Sequence, residues 1–146
     1  MAIDESLLEI REYTGVGYRP LVDFGAWRVA VLRYIDELLP HNIRAMQRHD
    51  ETDEVFVLLQ GRCILFLGEG GEAGVRKIHA QDLRQQVLYN VKRLAWHTHT
   101  LSADAVVLVI ENRDTGDANS PVVPLTAAQR AELVKFTHEL WSVRDF

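Results

Sequence analysis

The sequence predicts an all-β domain, a barrel or sandwich of short strands with an N-terminal arm and a single C-terminal helix. Three observations carry that expectation. Apolar residues alternate with period two in several short windows between Trp27 and Glu111. Turn-forming residues separate these windows about every 8–12 residues, the spacing of sandwiches and barrels. Helical patterns long enough for βαβ crossovers are missing before the final segment. At 146 residues the chain has the size of one domain. Burying roughly 68–70% of its unfolded surface gives it a single sizeable core.

In order along the chain, residues 3–12 place Ile3, Leu7, Leu8 and Ile10 among acids, as a short helix or an arm would. Gly15, Gly17 and Pro20 then punctuate the chain. From Trp27 the alternation has apolar residues on both faces, so this strand is expected to be covered on both sides. Pro40-His41-Asn42 breaks it. Ile43 to His49 resumes, with Ile43, Ala45, Gln47 and His49 on one face. Glu54-Val55-Phe56-Val57-Leu58-Leu59 is strongly β-prone and closes at a Gln60-Gly61 turn. Strands are also expected at Arg62–Leu67, Val75–His79, Val87–Val91, Leu94–His99 and Asp104–Glu111. After a loop from Asp114 to Pro121, Thr126 and Gln129 have capping-box spacing. Leu133, Val134, Phe136, Leu140 and Trp141 continue at helical spacing to about Val143. This helix packs either on the outside of the barrel or on a partner chain, and the first is the simpler expectation.

Composition narrows the function classes. Sixteen Lys and Arg against 21 Asp and Glu give a net charge of −5, which repels phosphate backbones and anionic membranes, and no basic cluster overrides it. Neither nucleic acid nor membrane is therefore expected as a partner. No window approaches the roughly 18 apolar residues of a membrane span. The acidic N-terminus lacks the pattern of a secretory signal. Cys63, the only cysteine, lies in an apolar run and reads as a small core residue. A cytoplasmic location is the resulting expectation.

Two of the six histidines, His97 and His99, stand two apart in a predicted strand. Residues so spaced share a face about 6.6 Å apart, and imidazoles there can converge on one ion through bonds of about 2.0–2.1 Å. Gln47 and His49 have the same relation on their own strand. Glu54 follows five residues later, so a turn brings its carboxylate back beside His49. Two histidines and a carboxylate facing one interior form a platform for a divalent transition metal with open positions. A set of hydrogen-bonded polar residues on a strand rim is the other reading, and spacing leaves both open. Asp50, Glu51 and Asp53 read as a solvated turn that makes the barrel mouth acidic. His41, His79 and His138 read as loop or surface residues. Gly68, Gly70, Gly71 and Gly74 lack the lysine and hydroxyl residue of a phosphate loop.

The stretch Gln47-x-His49-x4-Glu54-x6-Gly61 resembles the first motif of the cupin superfamily, whose usual form begins His-x-His. Lys92-Arg93-Leu94-Ala95-Trp96-His97 resembles the second motif, Pro-x-Gly-x-x-His. The resemblance implies a cupin-type jelly-roll β-barrel over residues 24–114, with residues 1–23 as the arm and 115–146 as loop and helix, all within one domain. It also implies a metal held by His49, Glu54 and His97. Gln47 stands where the first motif has a histidine and offers only an amide oxygen. His99, outside the general pattern, shares a face with His97 and is the candidate to replace the missing imidazole. Leu94 and Lys92 replace the second-motif glycine and proline, and Leu101 stands where an asparagine is expected.

Three functions follow from the resemblance. The first is a metal-dependent isomerase, dioxygenase or decarboxylase using Mn, Fe, Ni or Zn. The second is a non-catalytic module that binds a sugar-like or carboxylate small molecule. The third is a metal-free isomerase or epimerase with His49 or His97 as general base. A homodimer is implied by the same resemblance, with the arm available for exchange.

Overall fold

The run Glu54–Gln60 shows how alternation becomes a wall. Glu54, Phe56 and Leu58 are buried, whereas Val55 and Val57 between them are only half-buried. Val106–Asn112 repeats the pattern, with Val107, Val109 and Glu111 inward. The period of two sends alternate side chains to opposite faces, so one face of each strand enters the core.

The computed structural model describes residues 1–142. Its strands are β1 (Gly17–Phe24), β2 (Trp27–Arg33), β3 (Ala45–Gln47), β4 (Glu54–Gln60), β5 (Cys63–Glu69), β6 (Lys77–Asp82), β7 (Leu88–Val91), β8 (Trp96–Leu101), β9 (Val106–Asn112) and β10 (Val122–Pro124). They form two five-stranded antiparallel sheets, in the orders β1-β2-β9-β4-β7 and β10-β3-β8-β5-β6. The inner faces meet in a core of Ala30, Leu32, Phe56, Leu58, Cys63, Leu65, Leu101, Val107 and Val109, among others. Cys63 is fully buried there.

One helix, α1 (Ala127–Leu140), follows the strands. Thr126 and Gln129 close the expected capping box, each side chain accepting from the other's backbone N–H at 3.1 and 2.9 Å. Leu133 is fully buried against Ile43, Met46, Ile64, Phe66, Ile78 and Trp96 on the outer face of the β3-β8-β5-β6 side. That second core explains why Ile64 and Phe66 are as buried as Cys63 and Leu65: β5 is covered on both faces. Val143, the expected end of the helix, lies outside the described residues. Among the described residues no helix is long and apolar enough to cross a membrane.

Three expectations are corrected. Residues 17–23, assigned to the arm, form β1 together with Phe24, an edge strand hydrogen-bonded to β2. The residues that read as punctuation fit an edge. Gly17 opens the strand at φ +77°, and Pro20 sits where the register shifts and no ladder N–H is needed. The barrel also extends past residue 114, because β10 pairs with β3 across a ladder of only three residues, too short and proline-rich to show a period. Finally, β2 is covered on one face only. Ala30 and Leu32 are buried, but Val29 and Val31 remain half-buried because α1 covers the other sheet.

Candidate metal centre

Strand register assembles the site at one end of the barrel interior. Gln47 of β3 lies directly opposite His97 of β8. Val55 lies opposite Ile110, which sets Glu54 and Glu111 side by side on the inner face of β4 and β9. His49 follows β3 by two residues and Glu54 opens β4, as the spacing requires. The loop before β8 is tied to this corner by the Leu94 N–H donating to the His49 carbonyl at 2.8 Å. Leu94 occupies the position of the motif glycine and keeps its left-handed backbone, with φ +71°.

Three of the five expected residues come together. The ligand atoms of His49, Glu54 and His97 all lie within 4.8 Å of one another, and all three residues are buried. Glu54 Oε1 is 2.9 Å from His97 Nε2 and 3.3 Å from His49 Nε2. The two imidazoles meet edge to face, with centroids 5.1 Å apart.

Their outer nitrogens are already committed. His97 Nδ1–H donates to the Ala95 carbonyl at 3.0 Å. His49 Nδ1–H donates to Ser120 Oγ at 2.7 Å, whose own hydroxyl donates to Asn119 Oδ1. Each ring therefore carries its proton outward and turns the Nε2 lone pair toward the carboxylate. Three acceptors facing one point require either added protons or a cation. The donor set fits a divalent metal.

His99 lies outside this group, and Gln47 faces His97 across the β3–β8 pair. Both line the adjoining cavity, about 450 Å³, whose apolar wall includes Leu32, Leu38, Phe56 and Val109. His99 packs beside the Phe56 ring at 5.7 Å, and its buried Nδ1 has no hydrogen-bond partner. Burial pulls His99 down to about 4, so its imidazole is neutral near pH 7.

The structure adds residues that the sequence reading missed. Glu111 is 5% exposed and bonds through Oε1 to Arg28 Nη2 at 3.0 Å and Nε at 3.2 Å. The Tyr18 hydroxyl donates to the same oxygen. A signal existed for two of these: Glu111 is in phase with Val107 and Val109, and Arg28 with Ala30 and Leu32. A charge on the inward phase of a strand marks either a site or an error. Tyr18 and Ser120 gave none, because both lay in segments read as irregular.

Burial would lower His49, but the hydrogen bond and charge of Glu54, joined by Glu111, hold it above its usual value. Burial acts to raise Glu54, yet the bonds from His49 and His97 hold it well below the carboxylate range. Burial and the neighbouring Glu54 push Glu111 up to about 7. The acidic turn proves to be structural: Asp53 accepts from Lys92 Nζ, the Arg93 N–H and Asn90, pinning the second-motif loop. Glu51 and Asp50 accept from Asn119 and Arg48.

No family model matches this sequence, and no curated protein sequence does so either. Solved structures do match. A Streptomyces PAC13 variant with uridine is 11% identical, with a TM-score of 0.52 over 82% of this chain and 87% of that one. Hydroquinone 1,2-dioxygenase from Sphingomonas sp. TTNP3 is 11% identical, with a TM-score of 0.51 over 64% of this chain and 63% of the other. A cupin-2 domain protein from Shewanella frigidimarina is 14% identical, with a TM-score of 0.47 over 75% and 88% of the two chains. The chain has the cupin fold. Within this cupin barrel, the residues at the motif positions, His49, Glu54 and His97, face one another at the barrel end, and Gln47 lies beside them.

Proposed function

We propose that this cupin holds a divalent transition metal, of the class of Mn, Fe, Ni or Zn, through His49, Glu54 and His97, and that it binds or transforms a small molecule in the adjoining cavity. The observation that carries this reading is the convergence of two Nε2 lone pairs and a carboxylate oxygen whose outer partners leave no inward donor. A bound ion would supply Lewis acidity toward an oxygen of the ligand. The chain's own residues do the rest. Ser120 and the Ala95 carbonyl fix the orientation of the two imidazoles. Leu32, Leu38, Phe56 and Val109 exclude water and receive an apolar body, while Gln47 and His99 offer polar contacts beside it.

Metal analysis by inductively coupled plasma mass spectrometry, on protein purified without a histidine tag, tests the reading. Near-stoichiometric metal that is lost in both His49→Ala and His97→Ala is expected. Absence of metal, with none taken up on titration, would refute it. The metal-free acid–base reading would then lead, since Glu54 Oε1 already lies within bonding distance of both Nε2 atoms.

The same reading includes a homodimer, and the uncovered face of the first sheet supports it. Val31, Leu108, Val57 and Leu88 form one outward row across β2, β9, β4 and β7, with Val29, Ile110 and Val55 beside it. Leu88 is 71% exposed. An apolar sheet face of this kind suits contact between two copies about a two-fold axis. Sedimentation should give a dimer for wild type and a monomer for Leu88→Lys; a monomeric wild type overturns it. A cytoplasmic setting accords with the buried free thiol of Cys63.

A further inference from the structure

Glu54 and Glu111 place two buried carboxyls side by side, an arrangement that is costly unless a proton or a cation lies between them. They are directly opposite on neighbouring antiparallel strands, and each is 5% exposed. Like charges so placed destabilise a sheet, and burial sharpens the repulsion. Arg28, opposite Glu111 on its other side, answers one of the two charges. Its bonds and that of Tyr18 all fall on Oε1. Oε2 is buried without a hydrogen-bond partner and lies 3.8 Å from His49 Nε2.

That separation is too long for a hydrogen bond. It suits two ligands of one ion, because bonds of about 2.0–2.2 Å place neighbouring donor atoms roughly 3–4 Å apart. The contacts of Glu54 Oε1 with His97 and His49, 2.9 and 3.3 Å, fall in or beside the same range. Glu111 lies outside the three-residue group but beside His49, and the broad terminal torsion of a glutamate would let Oε2 close on an ion there.

The geometry points to Glu111, through Oε2, as the fourth protein ligand of the metal. The centre is then a two-histidine, two-carboxylate site, in which a second carboxylate takes the place that the imidazole of His99, outside the group, does not fill. Two carboxylates would offset the charge of a divalent ion held there. Oxygen and imidazole donors in this proportion select borderline and hard divalent ions over soft ones. The inference rests on the proposed metal site and deepens it.

Cobalt(II) titration of the metal-free protein, followed by its visible d–d absorption and by calorimetry, separates the two ideas. Wild type is expected to bind one equivalent, and Glu111→Gln to bind about 100-fold or more weakly with an altered spectrum. The bound of about 100-fold follows because residues acting on a ligand from outside already cost 10–100-fold. A spectrum unchanged in Glu111→Gln, whatever its affinity, overturns direct ligation while leaving the metal site standing. Failure of wild type to bind removes both. Melting of the metal-free proteins controls for folding: Glu111→Gln trades the carboxylate contact with Glu54 against the ion pair with Arg28, and a cooperative melt shows that the variant is folded. Should it fail to fold, Glu111→Asp, which keeps the charge but withdraws the oxygen, takes its place with the same expected loss.

Discussion

Arg28→Met should destabilise the metal-free protein more at pH 8 than at pH 5. The substitution keeps most of the side-chain stem and removes four donor contacts, two to Glu111 Oε1 and one each to the carbonyls of Arg113 and Thr115. The Arg28 side chain is 16% exposed and that of Glu111 3%, so solvent screens the pair little. Glu111 titrates near 7 when folded, against an ordinary value of 4.5. A raised folded value means that the native state holds the proton more tightly. The stability it contributes is complete below about 4.5 and is lost as the pH rises through about 7.

At pH 5 the folded protein keeps Glu111 protonated, no charge pair exists, and the variant loses only hydrogen bonds to neutral acceptors, about 2 kcal/mol in all. Without Arg28 the Glu111 value rises further. Between pH 7 and 8 the variant therefore keeps losing stability where wild type has levelled off, by at most about 1.4 kcal/mol. The total near pH 8 is about 3.4 kcal/mol, inside the range of about 3–5 kcal/mol for breaking a buried pair. At about 3 °C per kcal/mol, the deficit in Tm should be about 6 °C at pH 5 and about 10 °C at pH 8. Calorimetry in a chelator at both pH values measures it. Equal deficits would show that Arg28 is not the charge partner of Glu111.

Two further outcomes test the scaffold and the site. Gly61 has φ +73°, and a Cβ there would stand 2.7 Å from Ala105 Cα, so Gly61→Ala should cost about 2–4 kcal/mol; a melting point within about 2 °C of wild type refutes that account. Ser120→Ala removes the acceptor that orients His49 and should weaken metal binding by about 10–100-fold without changing stoichiometry; unchanged affinity would mean that the 2.7 Å contact does not position the ring.

The alternation that makes Glu54–Gln60 and Val106–Asn112 into walls, the cap of α1, and the pairing of His49 and Glu54 across a short turn can all be read from the chain alone. These are legible because periodicity and spacing are local properties of the chain. His97 was also legible, through motif spacing. The arm boundary, β10 and the open outer face of β2 were decided by pairing and layering. A three-residue ladder and an edge proline carry no period, and alternation cannot say which sheet receives the helix. The separation of His99 from the triad, and the entry of Arg28, Tyr18, Ser120 and Glu111, likewise came from the tertiary structure. Residues up to 93 positions apart meet there through register. Register is a property of strands aligned across the barrel, not of any one stretch of sequence.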